Sequence, residues 1–240
     1  MSTDAGVLDG GREVVVAFET STRSPTVAVA RGGSPIESAS LQGTRAHARD
    51  LLPTLSRLLD SIGAKVDEVS AIGVGLGPGS FTGLRVGVAT ALGLERALGV
   101  PTVGLPSMAA AVFDHLEDGQ VAGQLLDARG GRLYLGAFRR RGEELETVLE
   151  VRAPKPAELP ALLADECWAG PAEPATLFVD DDARRVAADA LAAPTVRATL
   201  ADGIRPEAAA VLRLARAQLA RGNAAQPGSL RPLYLARFGE

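Results

Sequence analysis

Cysteine, histidine and aromatic residues are scarce in this chain. Of its 240 residues one is cysteine (Cys167), two are histidine (His47 and His115) and 4% are aromatic. A single cysteine excludes an internal disulfide and any cysteine zinc cluster, and it suits a reducing compartment, so a cytoplasmic protein is expected. Cys167, next to Trp168, reads as a small buried hydrophobe. The residue four after His47 is Leu51, so no His-x-x-x-His pair exists and a metal-dependent hydrolase is not expected. With so few rings, stacking platforms for single-stranded nucleic acid are not expected either. A net charge of −4 and a pI near 5.4 give no basic footprint for independent nucleic-acid binding. No segment reaches the ~18 consecutive apolar residues of a membrane helix. Residues 1–12 lack the basic start and apolar block of a signal peptide and read as a disordered tail.

Small aliphatic residues are plentiful: 46% of the chain is hydrophobic, so the core must be built from Ala, Val and Leu. A chain of this length buries roughly 70 to 75% of its unfolded surface, enough for one or two domains. The richest stretch is residues 75–107, which read as strand, glycine turn, long apolar helix and strand again. Gly77-Pro78-Gly79 stops the strand, because proline lacks a donor and glycine accepts positive φ. Ser80 is placed to cap a helix running without a proline from Phe81 to Leu98. That helix is apolar nearly all round, with Leu84, Val88 and Leu92 on one face and Gly83, Gly87 and Ala91 at four-residue spacing. It is expected to be buried on two sides, against its own sheet and against a second helix. Whether that helix is internal or a partner's is left open by periodicity alone.

Glu13 to Phe18, Thr26 to Ala30 and Pro35 to Leu41 read as strands separated by polar turns. From about Ala46 to Ile62 the spacing of Leu51, Leu55, Leu58 and Ile62 marks an amphipathic helix, with Pro53 kinking it or sitting in its first turn. Val121 to Leu126, Arg132 to Phe138 and Glu144 to Val151 then repeat the strand pattern. VVVAFETSTRSPTVAVARGG and GQLLDARGGRLYLGAFRRRG share an order of apolar strand, terminal carboxylate, turn, alternating strand and basic-glycine turn, which points to an internal duplication. Glu207 to Arg221 reads as a helix, and residues 231–238 as a closing strand or docking segment.

A glycine turn feeding a helix is physically an anion site. The alternative is a tight connector, favoured because no Lys-Ser, Lys-Thr or Gly-x-Gly-x-x-Gly accompanies the glycines. Glu19 and Asp127 end the first strand of each half, where a carboxylate can order a magnesium-bound phosphate. A structural role is the favoured reading for both, with Arg129 as a partner for a carboxylate. Ser80 lacks the Gly-x-Ser-x-Gly elbow and a histidine partner. Arg139-Arg140-Arg141 reads as a solvated hairpin turn, and Asp180-Asp181-Asp182 as a loop or helix N-terminus.

GPGSFTGLRVG (77–87), VVVAFETST (14–22), LLDARGGRLYLGAF (125–138) and RPLYLAR (231–237) together resemble the TsaB (YeaZ) family of the bacterial tRNA threonylcarbamoyladenosine machinery. The resemblance implies an α/β fold, the duplicated actin-like ATPase fold of sugar kinases and heat-shock proteins, with a reduced second half. The expected division is a tail at 1–12, an N-terminal half at 13–105 and a smaller half at 106–240, whose C-terminal helix packs back on the first. It also implies a non-catalytic dimerisation subunit that activates the catalytic subunit TsaD, joins the ATPase TsaE, reaches tRNA only within that complex and forms a homodimer when alone. No membrane contact is implied. No cofactor or metal is implied for this chain, a nucleotide belonging to the partner's site or the interface. By similarity the pairing surface combines helices 46–62 and 80–98, which assigns Leu51, Leu55, Leu58, Ile62, Leu84, Val88, Ala91 and Leu92 to a partner. Gly77, Pro78, Gly79, Ser80, Asp127 and Arg129 are the turns of the fold motif. The family usually has aspartate at the position of Glu19 and a His-Ser-Glu-like entry at His47-Ala48-Arg49, departures that bear on a phosphate role for the first hairpin and leave the helix pair untouched. The competing class is a small actin-fold ATPase or carbohydrate kinase.

Overall fold

A computed structural model of the chain describes residues 11–41, 49–168 and 174–235. His47 and the first three residues of the helix expected from Ala46 lie outside the described residues, as does the side chain of Cys167. In chain order the elements are strands β1 (Val14–Glu19), β2 (Thr26–Arg31) and β3 (Glu37–Ser40), helix α1 (Leu51–Ser61), β4 (Val69–Gly75), α2 (Phe81–Leu98) and β5 (Thr102–Leu105). Then come α3 (Ser107–Phe113), β6 (Val121–Arg129), β7 (Arg132–Arg141), β8 (Glu144–Arg152) and α4 (Leu159–Leu163). The chain continues through β9 (Thr176–Val179), α5 (Asp181–Val186), α6 (Ala188–Leu191) and β10 (Thr199–Asp202) to α7 (Ala208–Ala220). Two compact units result: unit 1 holds Met1–Ala110 and Pro206–Leu233, unit 2 holds Ala111–Arg205 and Tyr234–Glu240.

The sheet of unit 1 runs β3-β2-β1-β4-β5, with β1, β2 and β3 antiparallel and β4 and β5 parallel to β1. The sheet of unit 2 runs β8-β7-β6-β9-β10 with the same directions, so β6 to β10 repeat β1 to β5 strand for strand. This is the actin-like arrangement in duplicate. The repeat extends to hydrogen bonds at the strand ends. Glu19 Oε1 accepts from the Ser21 amide at 2.7 Å, and Asp127 Oδ1 accepts from the Arg129 amide at 2.8 Å. After the fourth strand of each unit a side chain caps a helix: Ser80 accepts from the Gly83 amide at 3.2 Å, Asp180 from the Ala183 amide at 2.6 Å.

Residue size sorts the two faces of the first sheet. Val14, Val16 and Phe18 of β1, with Val27, Val29, Ile72 and Val74, form one core with Leu51, Leu55 and Leu59 of α1 and Val88 and Ala91 of α2. Both helices therefore lie over the same face. Strand side chains alternate, so the opposite face carries the small set Ala17, Ala28 and Gly73, which are register partners. There α7 comes in close: a Cβ on Gly73 would stand 2.9 Å from Ala215 Cβ. α7 packs on β1, β2, β4 and β5. Beyond it the chain straps the β5 edge, with the Ala225 amide donating to Thr102 O and the Leu233 amide to Leu76 O, both at 2.8 Å. Glu95 anchors the strap, accepting from Thr102 Oγ1 at 2.8 Å and from the Gly228 amide at 3.0 Å.

In unit 2 the core closes around Trp168, which is fully buried and donates Nε1–H to Leu162 O at 2.9 Å. A Cβ on Gly123 would sit 2.5 Å from its ring, so strand β6 and the indole are mutually fitted. Trp168→Ala is expected to destabilise unit 2 by about 3 to 5 kcal/mol. Denaturant melts followed by far-UV circular dichroism will show that loss as a lowered midpoint.

The turn expected at Asp127–Gly131 is shorter than the sequence reading gave. β6 runs to Arg129 through a bulge between Asp127 and Arg129, and Arg129 has φ of 64°. Asp127 and Arg129 are thus strand-end residues, and Gly130-Gly131 makes the crossing. The arginine run also stays in a strand: Arg139 and Arg141 of β7 both pair with Glu146 of β8.

Candidate functional site

Two places in unit 1 answer to the sequence motifs: the junction from β4 into α2, and the outer sides of α1 and α2. At the junction Gly77 has φ of 97°, a value that favours glycine, and is followed by a cis Gly77–Pro78 bond. The Gly77 amide donates to Ser107 Oγ at 3.0 Å while the Ser107 amide donates to Gly77 O at 2.8 Å, so one serine holds both polar groups of the turn. The Ser80 amide donates to Ser21 O at 2.7 Å, and the Leu84 amide to Ser80 O at 2.9 Å. A Cβ on Gly87 would stand 2.2 Å from Thr20 Oγ1, so the first turns of α2 press on the β1–β2 loop. An anion at a helix start needs free amides. Here those of Gly77, Ser80, Gly83 and Leu84 are engaged by the chain's own oxygens.

Glu19 lies beneath this junction. It is fully buried, and the space a side chain at Gly75 would fill holds its Oε2, 1.9 Å from where that Cβ would stand. Burial pushes its carboxyl above the ordinary glutamate range, against smaller opposing contributions from Ser21, Ser107 and the Thr20 amide. In unit 2 Asp127 holds the Arg129 amide, and its own amide donates to Asp180 Oδ2 at 3.4 Å. Each strand-end carboxylate thus accepts from an amide of its own loop. Among the described residues no group of three or more His, Cys, Asp or Glu is placed to hold a metal ion, and no helix is long and apolar enough to cross a membrane.

The helix pair requires a correction. Leu51, Leu55, Leu84, Val88 and Ala91, expected to meet a partner, are buried in the chain's own core, Leu84 at 2% exposure. Leu58, Ile62 and Leu92 are partly buried and pack on the same core. The physical reason is that the strongest apolar stripe of each helix is the one its own sheet claims. The outer sides carry a different set: Leu52, Ser56 and Asp60 on α1, and Phe81, Arg85, Ala89, Gly93 and Ala97 on α2, all exposed. Leu52 is 52% exposed, and the Arg85 guanidinium stacks 3.9 Å from the Phe81 ring centroid. Around Gly93 there is open space, since a Cβ there meets nothing within 4 Å. Sequence reading passed over these residues because alanine and glycine score weakly in any apolar pattern. Their i, i+4 spacing from Phe81 through Arg85, Ala89, Gly93 and Ala97 was the available signal.

A duplicated α/β protein of the actin-like class, with a glycine turn clasped by Ser107 between β4 and α2, is what these features define. Residues 37–177 match the family model described as "TsaD: tRNA N6-adenosine threonylcarbamoyltransferase". The chain is 31% identical over 145 residues to the tRNA threonylcarbamoyladenosine biosynthesis protein TsaB of Escherichia coli, covering 57% of this chain and 62% of that protein. It is 34% identical over 130 residues to the TsaB of Haemophilus influenzae, covering 52% and 54%. The chain thus spans little more than half the length of these curated relatives. The solved structure of YeaZ from Pseudomonas aeruginosa superposes with a TM-score of 0.77 at 25% identity, over 93% of this chain and 100% of that one. The chain belongs to this family, on its TsaB/YeaZ branch.

Proposed function

We propose that the chain is a non-catalytic pairing subunit in the formation of N6-threonylcarbamoyladenosine in tRNA, and that it activates a TsaD catalytic subunit through the outer sides of α1 and α2. Family membership supports the pathway. The observation that carries the role is the exposed run Phe81, Arg85, Ala89, Gly93 and Ala97 beside an α1 that leaves Leu52 uncovered. Small side chains let a second helix approach closely, and Phe81 on α2 and Leu52 on α1 supply apolar area to bury. The engagement of the Gly77, Ser80, Gly83 and Leu84 amides by the chain's own oxygens supports a scaffold over an ATPase or kinase. The transfer of the threonylcarbamoyl group from its adenylate to adenosine is assigned to TsaD, with TsaE joining the assembly and tRNA held there. Self-association of the free chain uses the same outer sides. The test is depletion of this protein followed by mass analysis of tRNA nucleosides. The modified adenosine is expected to fall while unmodified adenosine at that position accumulates, and an unchanged level overturns the reading.

A further inference from the structure

The cations along the β7–β8 hairpin of unit 2 fall into two sets. At its closed end Arg139 and Arg141 pair with Glu146, and Arg140 with Glu143. At its open end stand Arg129, Arg132, Arg152 and Lys155, and among the described residues none of these is in an ion pair. The fold gathers them. Arg129 and Arg132 are register partners across the β6–β7 turn. The Arg132 guanidinium donates to Ala153 O at 3.3 Å and the Leu133 amide to Pro154 O at 2.9 Å, so residues 152–155 lie beside Arg132. Arg132 and Arg152 line an open groove of about 420 Å³ together with Ala153, Pro154, Glu158 and Leu162. Carboxylates at this end are turned to backbone: Asp127 takes the Arg129 amide and Glu158 the Lys155 amide. Arg132 and Arg152 each give one N–H to a carbonyl, which leaves the rest of each fork free. Arg129 is exposed, and it is the one non-glycine residue at positive φ among the described residues, at 64°. Glycine would hold that turn at less cost.

We propose that this end of unit 2 is an auxiliary contact to the phosphate backbone of tRNA, with Arg132 and Arg152 seating one phosphate at the groove and Arg129 and Lys155 meeting its neighbours along the strand. Arginine forks match phosphate oxygens in pairs, and a row of them suits an anion repeated along a polymer. A single acidic side chain would use one fork and leave the other cations idle. None of the residues lining the groove is aromatic, so bases are not stacked there and the contact carries no sequence information. The net charge of −4 argues against tRNA binding by the chain alone. It leaves room for a local contact to an RNA that the assembly already holds, and the proposal rests on the pairing reading for that assembly.

The test titrates the full chain, co-purified with TsaD, against an unmodified tRNA transcript over a range of salt. A variant carrying Arg132→Gln and Arg152→Gln is compared with wild type and with a control carrying Arg139→Gln and Arg141→Gln, which alters net charge equally at the ion-paired end. The first variant is expected to bind about tenfold more weakly at ~50 mM salt, with a slope of log affinity against log salt shallower by about 1, so that the gap narrows about fourfold by ~200 mM. The control should follow wild type, and an unrelated tRNA should show the same differences. A folded variant with wild-type slope and affinity overturns the contact, as does an equal loss in the control. Loss of TsaD capture with tRNA binding intact would make this end a protein contact, and overturns it too. Should the first variant melt early, Arg129→Gln with Arg152→Gln, both on exposed side chains, carries the same test. A wild-type chain that captures no TsaD sinks the pairing reading instead. NMR of the arginine Nε–H groups of the free chain with tRNA at low salt then decides: shifts at Arg132 and Arg152 that salt reverses support the contact, and their absence overturns it.

Discussion

Leu84→Asp is expected to unfold unit 1, not merely to unpair it. Leu84 stands at 2% exposure. Truncating such a leucine costs about 2 to 5 kcal/mol, and an unpaired charge in its place adds several more. Against a total stability of about 5 to 15 kcal/mol, the sum is enough to remove the folded state. Circular dichroism and a thermal melt of the purified variant should show lost helix and no cooperative transition from unit 1. A variant that melts like wild type would mean that Leu84 faces outward and that the arrangement of α2 is wrong. The consequence is practical: loss of a partner by this variant reports the core, so the substitution does not test pairing.

Gly93→Arg is expected to do the reverse. The position is exposed and nothing stands within 4 Å of a new Cβ. Arginine is a better helix former than glycine, so stability should hold or rise by up to about 1 kcal/mol. A long cation planted between Ala89 and Ala97 removes the close approach that small residues allow. Standard interfaces bury roughly 1,200 to 2,000 Å² and depend on a few central contacts. The affinity for TsaD should therefore drop by at least about tenfold, or ~1.4 kcal/mol. Co-purification alongside a thermal melt measures both quantities. A folded variant with undiminished capture would place pairing on another surface.

These two substitutions show where the sequence was legible. The α2 boundaries, from the Ser80 cap to Gly99 in the left-handed conformation, follow from local chemistry and were readable directly. So was the duplication, because a buried central strand ending in a carboxylate leaves the same signature twice. The inward stripe of α2 was readable as apolar but not as inward. Periodicity gives the angle between faces, and only the sheet decides which face it takes. The fully buried Ala17 and Ala28 and the close approach of α7 at Gly73 depend on pairings across the chain, as does the Glu95 anchor to Gly228, which spans 133 positions. Ser107 carries no motif of its own, and its role at Gly77 exists because β5 returns beside β4. Glu19 was readable as a strand-end carboxylate. Its burial was not, since that depends on Gly75, one strand away in space and 56 positions along the chain.

Hydrogen exchange of the full chain with and without TsaD tests the pairing account most directly. Added protection is expected in peptides covering Leu52 to Asp60 and Phe81 to Ala97, strongest around Ala89 and Gly93. Protection confined to unit 2, with both helices exchanging as they do in the free chain, would contradict it.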